Sequence, residues 1–256
     1  GPFQQSVESV SRFGILQAER GKTCKLLYCD HIVNFMGVPM SIRINEIVPD
    51  FTAQTDQGEI KFHDWIGDGW VIMFSHPKDF TGVCTTEMSA VAQLADKWFT
   101  RNTKVIGVSA DGASKHADWK KDIEVLACRA AEFPIIADND AAVSSTFEML
   151  PAEAYNADGS LLETARAVRS LFIIGPDKTL KLSLFYPAAV GRNWAEVLRA
   201  LDALQVVAKH SVALPANWNV GEDVIIPSAV NDADAKVEFE GFKAVLPYVR
   251  TAKMPQ

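Results

Sequence analysis

Residues 70–99 read "WVIMFSHPKDFTGVCTTEMSAVAQLADKWF", and how this stretch divides decides the fold. Its first six residues are an unbroken apolar run, the pattern of a central strand covered on both faces. Pro77 and Gly82 then mark a loop. From about Val83 the pattern turns helical, with Val91, Leu94, Ala95 and Trp98 on one face. A second apolar run, "KVIGVSA" (104–110), and a more polar helix, "SKHADWKKDIE" (114–124), follow. Strand, helix, strand, helix is the rhythm of a parallel sheet, because parallel neighbours need a crossover between them.

Further along, "FPIIAD" (133–138) reads as a strand and "AAVSSTFEML" (141–150) as a helix. "RSLFIIG" (169–175) and "TLKLSLFY" (179–186) are strands separated only by "PDK", whose Pro and Asp suit a tight turn. That hairpin makes the sheet mixed. An amphipathic helix, "NWAEVLRALDALQVVAKH" (193–210), closes the unit, and from "LPANWNVGEDVIIPSAV" (214–230) the chain is Pro-rich, with room only for short strands. The expected organisation is an N-terminal extension (1–41), an α/β domain with a mixed central sheet flanked by helices (42–209), and a small C-terminal extension domain (210–256).

Composition narrows the function. A net charge of -7 and the lack of a dense Lys/Arg run argue against nucleic acid and anionic lipid as partners. No apolar stretch approaches the ~20 residues that cross a bilayer, so stable membrane insertion is not expected. Four cysteines without a CxxC pair make neither a disulfide scaffold nor a zinc ribbon, which points to a reducing compartment. The N-terminal extension has weak periodicity, and Glu8, Glu19 and Asp30 make it more acidic than a typical transit peptide. The compartment read from this is the cytoplasm or, if residues 1–40 are a targeting peptide, the mitochondrion.

Cys84 is the residue to explain. A cysteine is commonly a small buried hydrophobe. This one falls in the first turn of the helix that starts after the loop, where unpaired backbone N–H groups and the helix dipole stabilise a thiolate. Thr81, three residues earlier, is in reach to hydrogen-bond the sulfur or a molecule bound to it. Pro77 fixes the entry of the loop and is placed to shield the sulfur from water.

Pro77, Thr81 and Cys84 reproduce the PxxxTxxC motif of peroxiredoxins, in a stretch similar to that family's "HPxDFTPVCTTE". "FPIIAD", "RSLFIIGPDKTLKLSLFYPAAVGRNWAEVLRALDALQ" and "VALPANWNVGEDVIIP" resemble successive segments of the 1-Cys, peroxiredoxin-6-like subgroup, so the likeness runs over roughly residues 42–254. The resemblance implies a thioredoxin-like fold, a homodimer formed with the C-terminal extension, and a thiol peroxidase. In that reaction Cys84 attacks hydrogen peroxide or an organic or lipid hydroperoxide and becomes a sulfenic acid.

The resemblance also implies roles for other residues. Arg169 matches the family's active-site arginine, with Arg166 as a nearby decoy; Glu87 matches the acid that orients it, and Arg192 a supporting arginine. His76 matches a histidine that 1-Cys members place near the sulfur. His31, His63, His116 and His210 have no metal-ligand spacing with cysteine, so neither a metal nor another bound cofactor is expected. Gly82 stands where relatives carry proline. The His, Ser and Asp credited in some members with phospholipase activity are matched by His63 and Asp177, but Gly69 takes the serine position, so that activity is not expected.

The tail has no cysteine to resolve a sulfenic acid, which implies a 1-Cys cycle with an external thiol such as glutathione or thioredoxin. Cys128 follows the apolar patch "IEVLA" and is expected to be packed; Cys24 and Cys29 are free, paired together or in reach of another chain. The competing reading is a chaperone-like or redox-signalling binding protein on the same fold, which rapid consumption of the Cys84 thiol by peroxide would exclude.

Overall fold

A computed structural model describes residues 41–255 of the chain; Cys24, Cys29 and His31 lie outside them. Ahead of the expected strands stands a hairpin, β1 (Thr52–Thr55) and β2 (Gly58–Lys61), followed by a short helix, α1 (Phe62–Ile66). Residues 70–99 become β3 (Trp70–Ser75), a loop, α2 (Gly82–Gln93) and α3 (Ala95–Phe99). Then come β4 (Thr103–Ser109), α4 (Ala113–Ala127), β5 (Ile135–Ala137) and α5 (Ala142–Thr146). The hairpin β6 (Arg169–Ile174) and β7 (Leu180–Tyr186) and the long helix α6 (Trp194–Lys209) complete the main unit.

The seven strands lie in the order β2-β1-β5-β4-β3-β6-β7. β3, β4 and β5 run parallel, while β6 is antiparallel to β3 and β7 to β6, so the sheet is mixed as expected. Alternation along β3 builds two cores. Trp70, Ile72 and Phe74 face the layer of α2, α4 and α6, where Met88, Trp119, Ile123 and Leu201 pack. Val71 and Met73 face the other layer with Phe62, Ile66 and Phe147. Cys84 belongs to the first core. Gly107 of β4 leaves room for its paired neighbour on β5, since a Cβ on it would sit 3.3 Å from the Ile135 side chain.

Two helices are shorter than their periodicity suggests. The helix expected through Trp98 breaks at Leu94, where φ −90 and ψ 9 leave helical geometry, and the Trp98 indole donates to the Val91 carbonyl at 3.0 Å. The helix expected over 141–150 is regular only to Thr146, because Ala141 and Glu148 take left-handed φ values of 55° and 51°. Asp138 accepts the N–H groups of Val143 and Ser144 at 2.9 and 2.8 Å, doing the work of a cap at the start.

Beyond α6 the chain forms β8 (Val224–Ile225), α7 (Asp232–Glu238), β9 (Lys243–Leu246) and β10 (Val249–Ala252). The strands make an antiparallel sheet, β8-β10-β9, over a small core of Val212, Val224, Ile226, Ala235 and Ala252. Arg199 of α6 donates to the Trp218 carbonyl at 2.8 Å, joining this region to the main unit. Among the described residues no helix is long and apolar enough to cross a membrane.

Candidate active site

β3 ends at Ser75, and the loop that follows turns the chain into α2 so that Cys84 sits in that helix's first turn. Thr81 occupies the N-cap position with extended backbone, but its side chain does not cap the helix; its hydroxyl donates to the Lys78 carbonyl at 2.8 Å rather than to the sulfur. The amide dipoles of the first turn are therefore left without a side-chain acceptor beside Cys84, a residue that is 1% exposed. Pro77 borders the loop, half-buried.

From across the sheet, Arg169 at the start of β6 donates through Nη1 to Cys84 Sγ at 3.3 Å and to Glu87 Oε2 at 2.7 Å, and through Nε to the Ala188 carbonyl at 2.8 Å. Glu87, one turn after Cys84, is shared with a second guanidinium: Arg192 donates to both Glu87 oxygens at 2.8 Å and to the Ser170 carbonyl at 2.6 Å. Arg192 also lies over the rings of Phe74 and Trp194, 5.0 and 5.3 Å from their centroids. Burial alone would raise the Glu87 carboxyl, but the Arg192 hydrogen bonds and charge outweigh it and hold it below its usual range. Two buried cations against one buried anion leave a surplus positive charge beside the sulfur, which a thiolate balances.

Arg166, the decoy, donates to the carbonyls of Ala165 and Glu163 and has no bond to the sulfur. His76 is fully buried, and it pairs with Asp79 rather than with Cys84: Nε2 lies 2.6 Å from Asp79 Oδ1. His116 of α4 takes the other carboxylate oxygen through Nδ1, also at 2.6 Å. From the sequence Asp79 is not singled out, and His116 is considered only as a metal ligand and set aside. The available signal was the buried face of α4, where His116, Trp119, Ile123 and Ala127 follow helical spacing.

The family model described as AhpC/TSA family matches residues 44–183, and the model for the C-terminal domain of 1-Cys peroxiredoxin matches residues 203–241. The chain belongs to the 1-Cys peroxiredoxins. It is a thiol-dependent peroxidase with a thioredoxin-like fold. It is 44% identical over 215 residues to the mitochondrial peroxiredoxin PRX1 of Saccharomyces cerevisiae, covering 83% of this chain and 81% of that one. Among solved structures it resembles the cysteine-to-serine mutant of the peroxiredoxin 6 of Arenicola marina, with a TM-score of 0.78 and 37% identity over 84% of this chain and all of that one. It also resembles the yeast mitochondrial 1-Cys peroxiredoxin, solved for its thiol resolving mechanism via glutathione/thioredoxin systems, with a TM-score of 0.74 and 43% identity over 83% of this chain and 99% of that one.

In this peroxiredoxin the phospholipase-like residues are engaged elsewhere. His63 Nε2 lies 2.9 Å from the Val48 carbonyl, and Asp177 braces its hairpin by accepting from Thr179 and Lys181. A Cβ on Gly69 would stand 2.8 Å from the Asn102 carbonyl, so serine does not fit at that position without a backbone shift. Cys128 departs from the expected packing and is exposed. It follows α4 with a left-handed φ of 52°, and while Ile123 and Ala127 face the core, Val125 and Leu126 point to solvent.

The donor atoms of His76, Asp79 and His116 lie within 4.8 Å of one another, a two-histidine, one-carboxylate set of the kind that ligates metals. As arranged, each carboxylate oxygen already takes a ring N–H, so the three side chains are joined in one hydrogen-bonded chain centred on Asp79.

Proposed function

We propose that Cys84 is the peroxide-attacking thiol of this peroxidase, with Thr81, Pro77 and Arg169 around the reacting atoms and Glu87, Arg192 and His76 supporting them. The observation that carries this is the Arg169 Nη1 donor 3.3 Å from Cys84 Sγ, itself held by Glu87. The thiolate attacks one peroxide oxygen, the O–O bond breaks, and the other oxygen leaves and takes up a proton. The products are water or an alcohol and a Cys84 sulfenic acid. Arg169 offsets charge on the sulfur before attack and on the departing oxygen during it. The Thr81 hydroxyl, with its hydrogen given to Lys78, keeps lone pairs to receive a peroxide O–H.

Hydrogen peroxide and organic or lipid hydroperoxides are the substrates of this reading, reached from the side of the loop where Pro77 and Thr81 are only half-buried. Regeneration uses an external thiol, glutathione or thioredoxin, in keeping with the chemistry of the yeast relative's structure. One thiol condenses with the sulfenic acid to a mixed disulfide and water, and a second displaces Cys84. The working assembly is a homodimer in which the region from residue 210 takes part. The compartment is the cytoplasm or, where residues 1–40 address it, the mitochondrion; the yeast relative is named as mitochondrial. Cys84→Ser is expected to abolish peroxide consumption with an unchanged circular dichroism spectrum, because only the thiolate is a competent nucleophile. Turnover retained in that folded variant sinks the reading.

A further inference from the structure

From the cluster beside the reactive loop we infer that Asp79 is a positioning residue of the peroxidase, pinning the loop that presents Thr81 and the first turn of α2 to Cys84. This rests on the site assignment proposed above. The loop between Ser75 and Gly82 has few regular backbone bonds, yet Asp79 within it is 1% exposed and engages both carboxylate oxygens and its backbone N–H. Its carboxylate spans His76 at the end of β3 and His116 on α4, each at 2.6 Å, and its backbone N–H donates to Asp111 Oδ2 at 2.7 Å. Asp111 is held in turn by Lys115 at 2.5 Å. Asp79 thus closes the loop on itself through His76 and ties it to the β4–α4 segment through Asp111 and His116.

Two features show that the tie constrains conformation. Phe80, immediately after Asp79, has a φ of 56°, a left-handed conformation that bulky residues avoid and that persists only where surroundings impose it. Thr81 then takes its N-cap geometry, with its carbonyl accepting the Thr85 N–H at 2.9 Å and its hydroxyl turned to Lys78. The Phe80 ring also lies 6.4 Å from that of Trp119, but the Phe80 backbone sits between the Asp79 tie and the Thr81 bonds to Lys78 and Thr85. With Asp79 released, that backbone loses one of its two anchors and Thr81 shifts relative to Cys84. The two rings also define the hydrogens. An ionised carboxylate only accepts, so His76 donates through Nε2 and His116 through Nδ1. Neutral His76 then leaves Nδ1 buried without a partner, a cost retained for the sake of the bridge.

The amide of asparagine can span the same two rings: its oxygen accepts from His76, its NH2 donates to His116 Nδ1, and His116 turns its other N–H to the Ile136 carbonyl, 3.3 Å from Nε2. Alanine cannot. The test compares Asp79→Ala and Asp79→Asn by stopped-flow reaction of Cys84 with hydrogen peroxide and, separately, by its alkylation with iodoacetamide, which needs the thiolate but no aligned peroxide. Misplacement of the loop is expected to slow the peroxide reaction of Asp79→Ala by about tenfold or more, with alkylation little changed and Asp79→Asn recovering most of the peroxide rate. Peroxide reaction at the wild-type rate in Asp79→Ala, an equal loss in both variants, or an equal loss of alkylation overturns the inference. So does zinc uptake in equilibrium dialysis that His116→Gln abolishes, since the cluster is then a metal site. Cys84→Ser run alongside separates the two levels: continued peroxide consumption there condemns the site assignment, not the pin alone.

Discussion

At the scale of single residues, the site is a problem in charge. Arg169, Glu87 and Arg192 are each at most 6% exposed, and a buried ionic set of this size holds only if every charge is matched. Glu87 matches one guanidinium in full and part of the other, which leaves the remainder for Cys84. Arg169→Ala is therefore expected to slow peroxide reduction by a factor on the order of a hundred. Arg166→Ala should leave the rate unchanged, because its guanidinium bonds only neighbouring carbonyls. Stopped-flow rates of both variants check the pair; damage from Arg166→Ala and none from Arg169→Ala reverses the assignment. Arg192, set against the faces of Phe74 and Trp194 and forked onto Glu87, is a position where lysine cannot substitute for geometry.

At the scale of elements, the pairing of α2 with α4 decides what Cys84 can reach. Ser89 donates to the Ile123 carbonyl and Gln93 to the Ala127 carbonyl, both at 3.4 Å, so the helices run side by side in register. Cys128 thus lies level with the far end of α2, roughly 13 Å along the helix from Cys84 at 1.5 Å per residue. A disulfide needs Cα atoms within about 7 Å. Excess peroxide without a reducing thiol is accordingly expected to carry Cys84 on to sulfinic and sulfonic acid, with no Cys84–Cys128 disulfide within one chain. Mass spectrometry of the oxidised protein reads both, and that disulfide in quantity would mean that α2 or α4 unfolds during the cycle.

At the scale of the whole molecule, the buried histidine cluster makes folding sensitive to acid. Burial holds His76 below its usual 6.5, and although burial alone would raise Asp79, the two ring hydrogen bonds hold it at about 2 against a usual 3.8. Both groups bind protons more weakly folded than unfolded, so acidification favours the unfolded chain. The stability these groups supply is complete above about pH 6.5 and is lost as pH falls, first through His76 and then, between 3.8 and about 2, through Asp79. The urea midpoint should be lower at pH 5 than at pH 7, with a smaller drop in His76→Gln. A midpoint that rises on acidification contradicts this.

What the sequence alone determined is what local pattern can encode. The apolar runs in "WVIMFS" and "RSLFII" became the six-residue strands Trp70–Ser75 and Arg169–Ile174, buried throughout, and "PDK" became a hairpin. The motif from Pro77 to Cys84 singled out the cysteine, and the family likeness of "RSLFIIGPD" singled out Arg169, whose Nη1 lies 3.3 Å from that sulfur. Even α7, which was missed, was written locally: Asn231 accepts the N–H groups of Ala233 and Asp234, and acidic residues fill the first turn. The tertiary structure decided where helices stop, which side of "IEVLAC" meets solvent, and that Asp79 finds a histidine 37 residues away. Those outcomes depend on which surfaces meet and which buried polar groups must then be paired. Both are settled only when the layers pack, and no local periodicity carries them.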